Sequence, residues 1–404
     1  MSHRITSVYE NAPRLLYLSD IPPENRPGNQ LVHRLLSPYP NARLLFVTGN
    51  TYQQYPEASI PGLTQRTIRT AGMPRLLFSR LRPSYAKWLY RTLPHSTYLT
   101  SRVIREFRPQ VVATVAHGYS WLLADAVARA HDLPLHLFVF DDFVRQSGLR
   151  EADRAWAMSR FRDIYRRAAV RWCISEPMAE AYRELYGVDA EVFYPPRAAE
   201  LTVFSEPPAR GDARDRPKVF GFAGSLNYPP YGRMLATLAE VLENAGHRLL
   251  VFGGHSPETA ARHGFARGNV TLGPLLPADE IPARLRDEVD VLFAPMAFED
   301  DYRHDMEISF PSKLADYTAA GLPILIWGPA YCSAVRWAEQ NADSAYVVTD
   351  ASARSLRSGV DALATTHGLL ERLARGAIKT GERHFDLGAV AGRFSTRLTA
   401  SPRA

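Results

Sequence analysis

At 404 residues, 46% of them hydrophobic, the chain has enough apolar side chains for two or three domain cores at roughly 150 residues per domain. Its longest apolar runs, such as LPILIW, stop far short of the ~18–20 residues of a spanning helix, and the first twenty residues hold only a four-residue apolar stretch, too short for a signal-peptide core. Cys173 and Cys332 stand alone, without metal-ligand or redox spacing, and read as core thiols of a reduced, cytoplasmic protein; the net charge of +6 matters only through its distribution.

In the first half, strand-like runs at 14–19, 42–48, 111–116, 135–140 and 171–175 each lead through a loop into a helical stretch, the alternation of an α/β domain with a parallel sheet. Between the second and third of these lies 66–108, where ten Lys/Arg face one acid, Glu106, and Phe78, Tyr85, Trp88 and Tyr90 are interleaved. That mixture suits an anionic membrane surface, each nearby cation contributing about 1 kcal/mol. A solvated helix face is the competing reading and nucleic acid a distant third. The expected location is therefore the cytoplasm, peripheral at the inner face of the membrane. At strand ends, where ligands bind in such sheets, stand His117 in VAHGYS and Asp141 and Asp142 in LFVFDDFVR. Either aspartate suits a general base, and either equally suits a helix cap.

Residues 206–218, EPPARGDARDRPK, are polar and aperiodic and read as a linker. The expected division is a first domain over 1–205, the linker, a second domain over 219–383 and a terminal helix and tail over 384–404. Beyond the linker the strand-like runs resume at 219–224, 248–254, 269–273, 289–295, 322–328 and 345–349. FGGHSPETAARHG is glycine-rich after a strand without matching a dinucleotide or P-loop pattern, and Gly254 and His255 are candidates to line a nucleotide pocket. FEDDYRHDME, 298–307, reads as a solvated acidic loop before it reads as a metal site. Then comes FPSKLADYTAAGLPILIWG, with helix-start residues at Pro311 and Ser312, a stop at Gly321 and a strand beyond Pro323. A helix amino terminus carries unpaired N–H groups and partial positive charge, so Ser312 and Lys313 suit a phosphate there, while an i,i+3 surface pair of Lys313 with Asp316 is the plain alternative.

The segments FGFAGSLNYPPYGRMLATLAEVL, HRLLVFGG, NVTLGPLLPADEIPARLRDEVDVLFAPM and FPSKLADYTAAGLPIL, in that order, resemble the landmarks of GT-B glycosyltransferases of the large glycogen-synthase-like group. The first half agrees more weakly through PGNQLVHRLL, TVAHGYSWLLADAVARAHDLPL and CISEPMAEAYRELYGVDAEVFYPP. The resemblance implies two facing Rossmann-like domains, a nucleotide sugar held mainly by the second, and a final helix, 384–398, crossing back to the first. It implies a hexosyl- or deoxyhexosyltransferase acting on a glycan or lipid-linked acceptor in bacterial cell-surface polysaccharide synthesis, with the nucleotide sugar as substrate and neither cofactor nor metal. By the same resemblance Lys313 and Ser312 hold the donor's phosphate, Asp316 its ribose, and Gly28, Gly224, Ser225 and Arg233 line the donor site. His117 matches a histidine that touches the donor sugar.

The chain also departs from that pattern. Ser225 follows Gly224 where many members have arginine, Arg233 is the one nearby cation, and Ile308, with Glu307 beside it, stands where retaining members carry glutamate. Bacterial exopolysaccharide glucuronosyl- and rhamnosyltransferases share the SK helix start without those residues. A nucleotide-sugar epimerase of the same architecture and a non-catalytic sugar-nucleotide-binding module are the alternatives; an epimerase would convert donor alone, and a binding module would neither transfer nor hydrolyse it.

Overall fold

The structure is a computed structural model and describes residues 8–24, 29–49, 58–70, 73–209, 216–226, 228–277 and 279–400. It divides into two compact units, Met1–Pro196 with Leu387–Ala404, and Arg197–Asp386.

The first unit is built on a seven-stranded parallel sheet in the order β3-β2-β1-β4-β5-β6-β7. Its strands are β1 (Leu15–Leu18), β2 (Leu44–Gly49), β3 (Thr64–Ile68), β4 (Val111–Val115), β5 (Leu135–Val139), β6 (Val170–Cys173) and β7 (Glu191–Val192). β1, β2, β4 and β5 are buried along their whole length, as expected of strands covered by helices on both faces. β3, TQRTI, had no strand signal in sequence because it is an edge strand with polar, largely exposed side chains. The last helix, Leu387–Ala400, contributes Leu387, Val390, Ala391, Phe394 and Leu398 to this unit's core. The expected helix at 384–398 is corrected at its start: His384 and Phe385 end the preceding helix, Leu369–Phe385, and the helical path is interrupted at Asp386.

The second unit has a six-stranded parallel sheet, β10-β9-β8-β11-β12-β13. Its strands are β8 (Val219–Ala223), β9 (Arg248–Phe252), β10 (Val270–Leu272), β11 (Val291–Pro295), β12 (Ile324–Trp327) and β13 (Tyr346–Val348). The division at Pro196/Arg197 falls ahead of the expected linker. Within that linker 210–215 lie outside the described residues, and its flanks are anchored in the second unit: Glu206 pairs with Arg375 at 2.6 Å and Arg216 grips Asp290 through two bonds of 2.5 and 2.9 Å.

Both sheets reverse their strand order at one point, between β1 and β4 and between β8 and β11. In open α/β sheets the carboxyl ends of strands at such a point are where ligands bind. Cys173 and Cys332 are buried, and burial pushes both thiols up to about 12, which suits core thiols. Among the described residues no helix is long and apolar enough to cross a membrane.

Candidate functional site

The second unit gathers its candidates at the carboxyl ends of β8 and β9. After β8 the chain turns through Gly224 (φ +152°), and after β9 through Gly253 (φ +145°) and Gly254 (φ +67°), backbone that favours glycine. The two turns approach closely enough that a Cβ on Gly253 would stand 2.5 Å from the Gly224 carbonyl oxygen. His255 Nε2 lies 2.9 Å from that same oxygen, and since a carbonyl only accepts, Nε2 carries the proton.

Against this pair of turns stands the helix Lys313–Ala320, started by Ser312 with no side-chain cap and ended by Gly321 in the left-handed region (φ +66°). The Lys313 amine points at Gly224, 3.2 Å from where a Cβ would be, with the Phe222 ring centroid at 4.1 Å and that of Tyr231 at 5.4 Å. It is thus seated on two aromatic faces rather than spread on the surface, and burial pulls it down from the usual lysine range to about 7. Tyr317 fixes the helix to the sheet: its hydroxyl accepts from the Ala223 N–H at 2.9 Å and donates to the Phe293 carbonyl at 3.2 Å, joining the ends of β8 and β11.

Asp316 lies one turn along, next to Arg197. That guanidinium is buried and donates to the Ala315 carbonyl at 3.2 Å and to Thr318 Oγ1 at 2.9 Å. Burial lowers Arg197 to about 10, with the charges of Asp316, Asp386 and Glu382 opposing. Ser225 is exposed beside Gly224. Arg233 is drawn elsewhere, its Nη2 2.5 Å from Glu299 Oε1. The acidic stretch is a short 3-10 turn and a helix, Arg303–Ile308, with Arg303 over the Tyr331 ring at 4.3 Å. Among the described residues no cluster of three or more His, Cys, Asp or Glu could hold a metal ion.

In the first unit the loop after β4 holds His117, partly buried, its ring 4.7 Å from that of Phe143. Burial lowers the imidazole below its usual range and the nearby charge of Asp20 opposes this. Asp20, at the end of β1, is almost wholly buried: Oδ2 accepts the backbone N–H groups of Tyr119 at 2.5 Å and Ser120 at 2.8 Å, and Oδ1 accepts the Ser120 hydroxyl at 2.6 Å. A side chain at Gly118 (φ +68°) would run into this carboxylate. At the end of β5 the two aspartates part ways. Asp142 is buried, caps the short helix Phe143–Gln146 through the Arg145 N–H at 3.4 Å, and pairs with Arg145 Nε at 3.1 Å. Asp141 is partly exposed. Gly28 lies outside the described residues.

Asp20, Phe222, Tyr231, Tyr317 and Arg197 were not singled out in the sequence. Asp20 could have been, since YLSD puts a carboxylate directly after a strand, as FVFD does for Asp141; the other four act through packing that no local pattern announces.

A family model described as a glycosyl transferase 4-like domain matches residues 32–196. No curated protein matches the chain. Among solved structures it is similar to Anabaena HepE in complex with UDP and glucose, at 12% identity and TM-score 0.63 over 96% of this chain and 100% of that one. It is similar at 15% identity and TM-score 0.63 to the lipopolysaccharide outer core galactosyltransferase WaaB, over 96% and 99%. The trehalose 6-phosphate synthase of Burkholderia multivorans gives 12% identity and TM-score 0.63 over 96% and 98%. Two parallel sheets that each reverse order at their centre, a lysine-bearing helix start beside paired glycine turns and the solved structures it resembles lead to one assignment: the chain has the GT-B glycosyltransferase fold, and its residues 32–196 match a glycosyl transferase 4-like domain.

Proposed function

We propose that this glycosyltransferase moves a hexosyl or deoxyhexosyl group from a nucleoside-diphosphate sugar to a glycan or lipid-linked acceptor in bacterial cell-surface polysaccharide synthesis. The observation that carries the reading is the Lys313 amine, at the start of a helix that the Ser312 side chain does not cap and facing Gly224. A helix start and an ammonium together stabilise a diphosphate both when bound and when leaving. Asp316 accepts the ribose hydroxyls from one turn along. The UDP bound to HepE and the galactosyltransferase activity named for WaaB support a nucleotide-sugar donor here.

On the acceptor side Asp141 is the base. It takes the proton of the acceptor hydroxyl, the oxygen attacks the anomeric carbon, the bond to the diphosphate oxygen breaks, and the nucleoside diphosphate leaves with inversion. His117, its imidazole lowered by burial, is assigned to the donor sugar. No metal is needed, because Lys313 and the helix end counter the leaving charge; full transfer in EDTA is expected, and loss restored by manganese would refute this. Lipid-linked acceptors are reached at an anionic membrane surface. Met73, Phe78, Leu81 and Tyr98 are all exposed by more than half, with exposed Arg75 and Arg80 on either side of Phe78. The deciding experiment is a thermal-shift screen with UDP, GDP, TDP and CMP sugars followed by product analysis: selective stabilisation and transfer to acceptor support the reading, and conversion of donor alone, or no stabilisation by any, overturns it.

A further inference from the structure

The Lys313 side chain is partly buried, and among the described residues no anionic partner pairs with it. Its amine faces the ring of Phe222 and the backbone of Gly224 from β8 and its turn, and the ring of Tyr231 from the helix Pro229–Asn244. Among the described residues no ion pair involves it, and its surroundings act on it by desolvation alone. The titratable groups around it are few. Tyr231 and Tyr317 are both raised by burial and stay neutral at any physiological pH, and Cys332, close enough to act on Tyr231, is pushed up to about 12. His255 reaches the same Gly224 from the turn after β9, and Asp316 on the same helix acts on Arg197 and Tyr317.

We propose that the diphosphate site binds its ligand together with one proton, which the Lys313 amine takes from solvent as the nucleoside diphosphate arrives. This rests on the reading of Lys313 as the donor-phosphate residue. Ring faces are a poor replacement for the water an ammonium loses, so the empty site favours the neutral amine. Two phosphates bring the missing counter-charge, and the charged form then becomes the stable one. Burial lowers the amine of the empty site to about 7, so at pH 8 the neutral form predominates and binding draws a proton from the buffer. Proton and ligand are then linked: affinity falls about tenfold for each pH unit above 7 until the amine of the complex itself titrates.

The test is titration calorimetry of UDP at about pH 8, where its terminal phosphate is already fully ionised, in two buffers of different ionisation enthalpy. We expect uptake of most of a proton per UDP bound by the native chain, uptake near zero with UDP still bound by Lys313→Arg, and unchanged uptake in His255→Gln. UDP binding without proton uptake overturns the proposal and leaves the donor reading standing. Uptake that survives in Lys313→Arg but vanishes in His255→Gln also overturns it, by assigning the proton to the imidazole. No binding of UDP, GDP or TDP overturns both. A flat affinity from pH 7 to 9 in the native chain overturns it without any variant.

Discussion

The helices Ser120–Ala130 and Lys313–Ala320 occupy corresponding places in the two units. Each lies between the strand where the sheet reverses order and the strand beside it, β4 and β5 in one case, β11 and β12 in the other. Their starts are chemically opposite. In the first unit Asp20 reaches over from β1 and takes the leading N–H groups, so the helix dipole is already satisfied by a carboxylate. In the second the Ser312 side chain does not cap the start, and a lysine adds to its positive end. Topology alone therefore does not make an anion site, since at the first of these positions a carboxylate from β1 already takes the leading N–H groups.

On the proposed function the first unit supplies proton chemistry and the second binds the donor, and that contrast can be broken in order of expected effect. Asp141→Asn should cut turnover by ~10²–10⁴, the worth of a general base, with donor affinity unchanged; a product that keeps the donor's anomeric configuration would remove Asp141 from that role. Lys313→Ala and Asp316→Ala should each weaken donor binding by about 1.5–3 kcal/mol in calorimetry. Native affinity in both would mean that the open helix start holds nothing. Asp20→Ala should lower stability in urea by about 1–3 kcal/mol, because it strands buried N–H groups, yet leave donor affinity alone.

The milder Asp20→Asn adds a readout in pH. Asp20 is the charge that opposes the burial-driven fall of His117, so its neutralisation should move the imidazole's NMR titration further down; an unmoved midpoint would uncouple the two. The smallest effect concerns the surface of the first unit. Arg75→Ala and Arg80→Ala should each cost about 1 kcal/mol of binding to anionic vesicles, and that binding should fall between 0.01 and 0.15 M salt as screening shortens from ~30 to ~8 Å. No binding at low salt would favour a soluble acceptor.

All eleven strands expected from apolar runs in this chain start within two residues of the observed ones, because buried parallel strands read as continuous Val, Ile, Leu and Phe. β3 and β7 escaped because one is polar and the other only two residues long. The helix at Lys313 was legible from Ser312 to Gly321 through its start and stop residues, but its seat on Phe222 and Tyr231 was not, since those rings come from 91 and 82 residues earlier in the chain. The division between Asp141 and Asp142 was equally hidden: a DD pair after a strand fits base and cap alike, and only the bonds to Arg145 identify the cap. The boundary at Pro196 was missed because 197–209 is as irregular in composition as the linker, while its anchorage, such as Phe204 N–H to the Ala319 carbonyl at 3.0 Å, is tertiary.

The second unit is one unbroken stretch of chain, whereas the first is completed only by Leu387–Ala400, whose Phe394 packs against Tyr9, Phe138 and Trp172. During synthesis this reverses the usual amino-terminal-first order. The first sheet must wait on the ribosome with a gap in its core while the whole second unit emerges and folds, and it closes only when residue 394 is released. Loss of the last twenty residues would therefore damage the half of the protein made first.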